Sequence, residues 1–231
     1  KLMNKYTGFL LSYLKYGDND AILHCYTQES GFQSFFIKGL YSTKNKKKAF
    51  LSPMNELSFT VLEGNHQSEL LRVTKLEIVE TKDDFTDVKY NTIAFFVSEF
   101  LNQILRNENQ NSTLYQEIFC LKAHLNQSNY FSHYYFMIKT LAILGLAPLI
   151  SDEKYLNIEK GVFQEQSNNE TIDEFTSGIW KTILTSEFYS DLKIESKYKK
   201  KLLDSILIYY KYHFPDFRSP KSLEIINQIF E

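Results

Sequence analysis

The spacing of the apolar residues changes once along the chain, near residues 80–90, and that change limits what the chain can fold into. Upstream, side chains alternate as in half-buried strands; downstream, they recur every three to four residues as on helices. In the first part, Tyr6–Tyr16 is an aromatic and aliphatic run stopped by Gly17-Asp18-Asn19-Asp20, a dense turn signal. Ala21–Thr27 follows, then the turn Gln28-Glu29-Ser30-Gly31, then Phe32–Lys38, closed by Gly39. Glu56–Leu62 alternates again (Leu57, Phe59, Val61), with Pro53 outside it, where a missing N–H does no harm. After a turn at Glu63-Gly64-Asn65, Leu70–Val79 reads as a fifth strand. Five short strands at this spacing predict a small closed barrel or a sandwich.

In the second part, Ile93, Val97, Phe100, Leu101 and Ile104 make one stripe on a helix over 91–106. Leu114, Ile118, Leu121 and Leu125 do the same over 112–125. A third helix covers 132–144, with Ser132 as N-cap and Gly145 and Pro148 marking the stop. The longest runs over 195–214, with Leu202, Leu203, Ile206, Tyr210 and His213 on one face, and a short one covers 221–230. Between the third and the long helix, Tyr155–Gln166 reads as a hairpin turning at Glu159-Lys160-Gly161, and 167–171 is polar.

Charge is uneven at close range. The net formal charge is -2, yet residues 38–48 hold five lysines and no acid. Aromatic residues are 16% of the chain, with 19 Phe and 16 Tyr against one Trp; most must be core, and a minority can stack on bases. Two distant cysteines, Cys25 and Cys120, make no disulfide framework. No secretory signal and no apolar run of membrane-spanning length is visible, so the expectation is a soluble, cytoplasmic protein.

The candidate site follows from these features. Lys38, Lys44, Lys46, Lys47 and Lys48 on a flexible loop suit a phosphate backbone, which cations bind by releasing condensed counterions. Such a run also occurs as a plain solvated surface. Tyr41, beside it, is the best candidate to stack on a base; of Phe35 and Phe36, only one faces outward. Arg72 is a further candidate, and a regular strand would point Arg72 and Lys75 to opposite faces.

Little suggests catalysis. The phosphate-loop, dinucleotide and zinc-protease motifs are absent, Asp18 and Asp20 suit a turn, and Asp83, Asp84 and Asp87 suit a helix start. His213 reads as a packed residue and Cys25 as an inert thiol within a strand.

Several segments, taken in order, resemble the RecO family. They are Gly8-Phe9-Leu10-Leu11, Tyr16-Gly17-Asp18-Asn19-Asp20, Tyr26-Thr27 with Gly31, and Ile37-Lys38-Gly39, followed by the basic run 42–48. Further on, Leu144-Gly145-Leu146-Ala147-Pro148 is similar to that family's "LG-x-x-P" helix end, and Arg218-Ser219-Pro220-Lys221-Ser222-Leu223 to its last helix start. The resemblance implies an α+β chain: an N-terminal OB-fold β-barrel over 1–82 that binds single-stranded DNA, then an all-α partner-binding domain over 83–231. Many relatives carry zinc-binding cysteines after the "LG-x-x-P" helix; residues 149–168 here contain no Cys or His, so no metal or other cofactor is expected, and a small hairpin replaces that region.

The function implied is that of a non-enzymatic mediator of DNA repair and recombination. It would anneal complementary strands and act with SSB, through that protein's C-terminal tail, and with RecR, RecF being a further candidate, to load recombinase. Lys122, Lys139, Lys197 and Lys200 are the candidates to rim the pocket for that tail. The competing reading is a protein-interaction adaptor that never touches nucleic acid. A hydrolase comes third.

Overall fold

In the computed structural model, the residues described are 3–62, 70–79, 86–167, 172–186 and 194–230. The expected turn at Glu63-Gly64-Asn65 and the acids Asp83 and Asp84 lie outside them. The chain divides into two compact units, 1–116 and 117–231.

The first unit is a closed five-stranded barrel in the order β1-β2-β3-β5-β4: β1 Met3–Tyr16, β2 Asp20–Thr27, β3 Gly31–Ile37, β4 Glu56–Leu62 and β5 Leu70–Ile78. All pairings are antiparallel except β3 with β5. Strand β1 is long because it serves two neighbours. Its first half pairs with β4, its second half with β2, and a bulge between Leu10 and Ser12 supplies the bend. Closure leaves no sheet edge open. Inward residues fill the barrel, with Leu10, Leu23, Phe35, Leu57, Phe59 and Leu76 all buried. The Phe35 and Phe59 rings stack at its centre, 3.9 Å apart.

Helix α1, Val88–Ile104, packs against β1 within this unit. Asp87 is its N-cap, accepting from the Tyr90 N–H at 3.0 Å, the structural role expected of an acid there. Its apolar stripe, Ile93, Val97, Phe100, Leu101 and Ile104, is buried as the periodicity requires. Helix α2, Ser112–Asn126, begins in this unit, where the Tyr115 hydroxyl donates to the Glu56 carboxylate at 2.6 Å.

The second unit contains α3 Ser132–Ile143, a hairpin of β6 Tyr155–Asn157 and β7 Val162–Gln164, α4 Glu174–Thr185, α5 Ser196–His213 and α6 Leu223–Phe230. The hairpin turns where expected and is held by buried Leu156, Ile158 and Phe163. Hydrogen bonds fasten it as well: Ser177 Oγ accepts from the Leu156 N–H at 3.0 Å, and His213 Nε2 donates to the Ile158 carbonyl at 2.7 Å. His213 is thus a packed residue, stacked on Tyr209.

Helix α4 lies outside the helices that the spacing predicts. Its signals are Asp173, whose carboxylate caps the Thr176 N–H at 2.7 Å, and the buried Ile179, Trp180 and Ile183. Gly178 inside it weakens the local pattern, and packing overrides that weakness. Trp180, fully buried, donates to Ser205 on α5 at 2.9 Å. Helix α3 does not begin on the expected Ser132 cap. Its N-cap is Phe131, without a side-chain cap, while Ser132 lies inside the first turn and donates back to the Asn129 carbonyl at 2.6 Å. Among the described residues, no helix is long and apolar enough to cross a membrane.

Candidate nucleic-acid interface

The lysine-rich connection from β3 to β4 is not the flexible loop expected. Residues Lys46–Phe50 form a short 3-10 helix capped by Asn45, whose side-chain oxygen accepts from the Lys47 N–H at 2.9 Å. The segment is tied to the barrel at both ends. Asp20 accepts from the Gly39 N–H at 2.7 Å, Asn19 from the Tyr41 N–H at 2.8 Å, and Leu10 and Met54–Asn55 exchange backbone bonds at 2.9 Å. Leu40, Leu51 and Met54 are buried as plugs. Asp20 therefore has the structural role its turn implied.

On this frame Lys38, Lys44, Lys46 and Lys48 are exposed and Lys47 is half-buried. Lys48 sits over the Tyr41 ring at 5.2 Å, and the ring, half-buried, packs against the barrel core. Glu77 is held below the usual carboxylate range, chiefly by its hydrogen bond to Lys75, with Lys5 and Lys47 adding positive field.

Arg72 belongs to a different surface. Strand register sets Leu14, Ile22, Phe36 and Arg72 in one row across β1, β2, β3 and β5. Phe35 on this part of β3 is fully buried, so Phe36 faces out, as alternation demands. The Arg72 guanidinium lies 5.7 Å from the Phe36 ring, and Tyr16, 56% exposed, meets that ring edge-on at 5.8 Å. Lys38 follows Phe36 by two residues and is exposed. The expectation that Arg72 and Lys75 point oppositely is overturned. The pairing slips between Thr60↔Lys75 and Val61↔Val73, and the extra residue, Thr74, leaves both side chains exposed.

Two residues along the strands from this row lies another, Ser12, His24, Ser34 and Leu70, and beyond it Phe32. Here a segment that spacing gave no reason to single out, 106–109 after α1, lies over the sheet as a strap. Its Glu108 carbonyl accepts from the Phe32 N–H at 3.0 Å and its Asn109 carbonyl from the Tyr26 hydroxyl at 3.0 Å. Gly31 makes this approach possible: φ is +75°, and a Cβ would lie 2.4 Å from the Asn109 carbonyl carbon. Burial, and behind it the Glu108 carboxylate, push Tyr26 up to about 12. Between strap and sheet is an open-sided cleft of about 500 Å³. His24 lies in it, stacked on Phe32 at 5.7 Å and bonded to Ser34 through Nδ1 at 2.8 Å. Burial, then the Arg106 charge, lower its pKa and keep it neutral near pH 7.

In the helical unit the four candidate lysines have separate surroundings. Lys139 donates to the Ser186 carbonyl and covers Tyr135, Lys197 pairs with Glu195 at 2.9 Å, and Lys122 is half-buried on α2. Lys200 lines a small cleft of about 30 Å³ with Lys199, Tyr134, Leu203 and Ile226. Among the described residues no cluster of His, Cys, Asp or Glu could hold a metal ion. Cys25 is fully buried, and desolvation raises its thiol pKa well above the ordinary value, which leaves it protonated.

A five-stranded barrel closed in the order 1-2-3-5-4 is an OB-fold, here with aromatic and cationic side chains on its outer face. The family model described as Recombination protein O N terminal matches residues 3–82, and that described as Recombination protein O C terminal matches 86–154. A protein named DNA repair protein RecO from Flavobacterium psychrophilum is 25% identical over 98% of both chains. Proteins of that name from Christiangramia forsetii (28% identical; 96% of this chain and 97% of the relative) and Bacteroides fragilis (25%, over all of both) are similar along the same length. The chain belongs to the RecO family of DNA repair proteins.

Proposed function

We propose that this protein binds single-stranded DNA on the outer face of its barrel, lets complementary strands anneal, and works in the cytoplasm with SSB and RecR, RecF being a further candidate, to load recombinase. The observation that carries the reading is the four-strand row ending in Phe36 and Arg72. Apolar and aromatic side chains offer base-stacking surface that no particular sequence is needed to use, and Arg72 and Lys38 supply charge for phosphates. Annealing needs no catalytic group. Neutralising the backbone lowers strand repulsion, and pairing drives the rest. Lys199 and Lys200, beside a cleft of only about 30 Å³, supply positive charge that would attract the acidic C-terminal tail of SSB.

Fluorescence anisotropy of a labelled single-stranded oligonucleotide across a salt series tests the reading. With four or five phosphates engaged, log K against log salt falls with a slope of roughly -3. Changing Lys38 and Arg72 to Ala should make that slope shallower, and changing Lys44, Lys46, Lys47 and Lys48 together reads what the lysine segment adds. No binding by the folded wild type at low salt would overturn direct DNA contact and favour a protein adaptor.

A further inference from the structure

The cleft under the strap has a composition that the rest of the barrel face lacks. Its floor includes the stacked rings of His24 and Phe32 on the outer side of β2 and β3. Its opposite wall is the strap itself, with Arg106, Asn107, Glu108 and Asn109. Arg106 is exposed, and among the described residues its guanidinium has no hydrogen bond or ion pair. Asn107 and Asn109 present side-chain amides, which both donate and accept, and Ser34 adds a hydroxyl. The volume of about 500 Å³ lies in the range of small-ligand sites, roughly 300–1,000 Å³. The walls are fixed rather than loose, because Gly31, Tyr26 and Phe32 all clamp the strap from below.

These groups match the parts of a single nucleotide. A base needs a flat face to stack on and amides to meet its edge; its phosphate needs one cation. The lining holds one arginine and one glutamate, which suits a single phosphate rather than a polyphosphate. Position agrees with this. Phe32 and Phe36 share the outer side of β3, four residues or roughly 13 Å apart, so the cleft lies along the same face as the Phe36–Arg72 row.

We infer that the His24–Phe32–Arg106 cleft is a nucleotide site, taking one base of the bound single strand out of the stacking row, with its phosphate on Arg106. The inference rests on the strand-binding reading for the source of the nucleotide, and on the cleft alone for its chemistry. It makes the strap, and not only the sheet and the lysine segment, part of the interface.

The test has two arms, both on the full chain. In the first, thymidine 5′-monophosphate is titrated while backbone amide signals are followed by NMR. Perturbations should gather at His24, Phe32, Ser34 and 106–109, weaken about tenfold in Arg106→Gln, and be smaller for thymidine, which lacks the phosphate. In the second, oligonucleotide affinity is measured against salt. Arg106→Gln should make the slope shallower by about 0.7, the loss of one phosphate contact, and Arg106→Lys should restore it. Absence of perturbation in the cleft at millimolar nucleotide overturns the inference. So does an unchanged salt slope in a variant that still binds oligonucleotide, which leaves the strand-binding reading standing. Monophosphate bound in the cleft of a chain that ignores oligonucleotides would overturn the strand as source and leave a free-nucleotide site.

Discussion

Replacing Gly31 with alanine tests whether the strap is built as described. Three atoms of the strap backbone, the Asn109 carbonyl carbon and oxygen and the Glu108 carbonyl oxygen, would lie 2.4–2.6 Å from the new Cβ. None is the end of a flexible side chain, so the strap itself must move. The φ of +75° adds roughly 1–2 kcal/mol for any residue with a Cβ. Lifting the strap breaks the bonds from the Phe32 N–H and the Tyr26 hydroxyl, each worth about 1 kcal/mol net. The sum is about 3–4 kcal/mol. Gly17 supplies the internal control, with φ at +58° and no atom within 4 Å of its Cβ position. Gly17→Ala should therefore show only the backbone contribution of about 1–2 kcal/mol. Urea unfolding followed by far-UV circular dichroism reads both variants, and hydrogen exchange at the Phe32 amide reads the strap directly. Equal losses in the two variants, with Phe32 protection unchanged, would refute the claim that the strap is clamped through Gly31.

Phe36→Ala should weaken oligonucleotide binding by about 1–3 kcal/mol without altering its salt slope, because a stacking surface is lost and no charge; a changed slope would mean that Phe36 acts only by holding Arg72. In the helical unit, burial above all, with Lys199 adding to it, lowers His133 to about 4, so the folded unit keeps it neutral while the unfolded chain protonates it near 6.5. Stability linked to His133 is thus complete above about pH 6.5 and falls by about 1.4 kcal/mol per pH unit towards pH 4. Fluorescence of Trp180, the only tryptophan, reports that unit's urea midpoint, and His133→Gln should flatten the dependence; parallel curves would mean the wild-type ring is solvated. Asp173→Ala removes the α4 cap and the bridge to Lys201 (2.7 Å) together and should cost about 1–2 kcal/mol, most of which Asp173→Asn should recover; equal losses in the two would assign the effect to charge rather than capping.

Much of the fold was legible because it is local. The spacing of Leu57, Phe59 and Val61, or of Ile93, Val97 and Phe100, is a property of neighbouring residues, and the two periods can be read without knowing what they pack against. Turn residues such as Gly17 and Gly39 carry their own backbone preference, so strand limits came out within a few residues. Where the local signal is weak, the fold departs from it: Gly178 masks α4, and Ser132, a good cap by type, sits one residue too late.

The candidate site was legible only in part. A run of lysines is visible in any sequence, but whether it hangs free or is tied down depends on partners far away, here Asp20, Asn19 and Leu10. By itself, then, the sequence determined a five-stranded part, barrel or sandwich, followed by a helical part, and which residues of each face inward. Only the tertiary structure decided which outward residues meet. Strand register joined Leu14, Ile22, Phe36 and Arg72, a one-residue bulge turned Lys75 outward, and a strap from beyond α1 closed over His24 and Phe32. The physical reason is that periodicity is set within a segment, whereas a binding surface is set by pairings between segments distant in sequence, which leave no periodic trace along the chain.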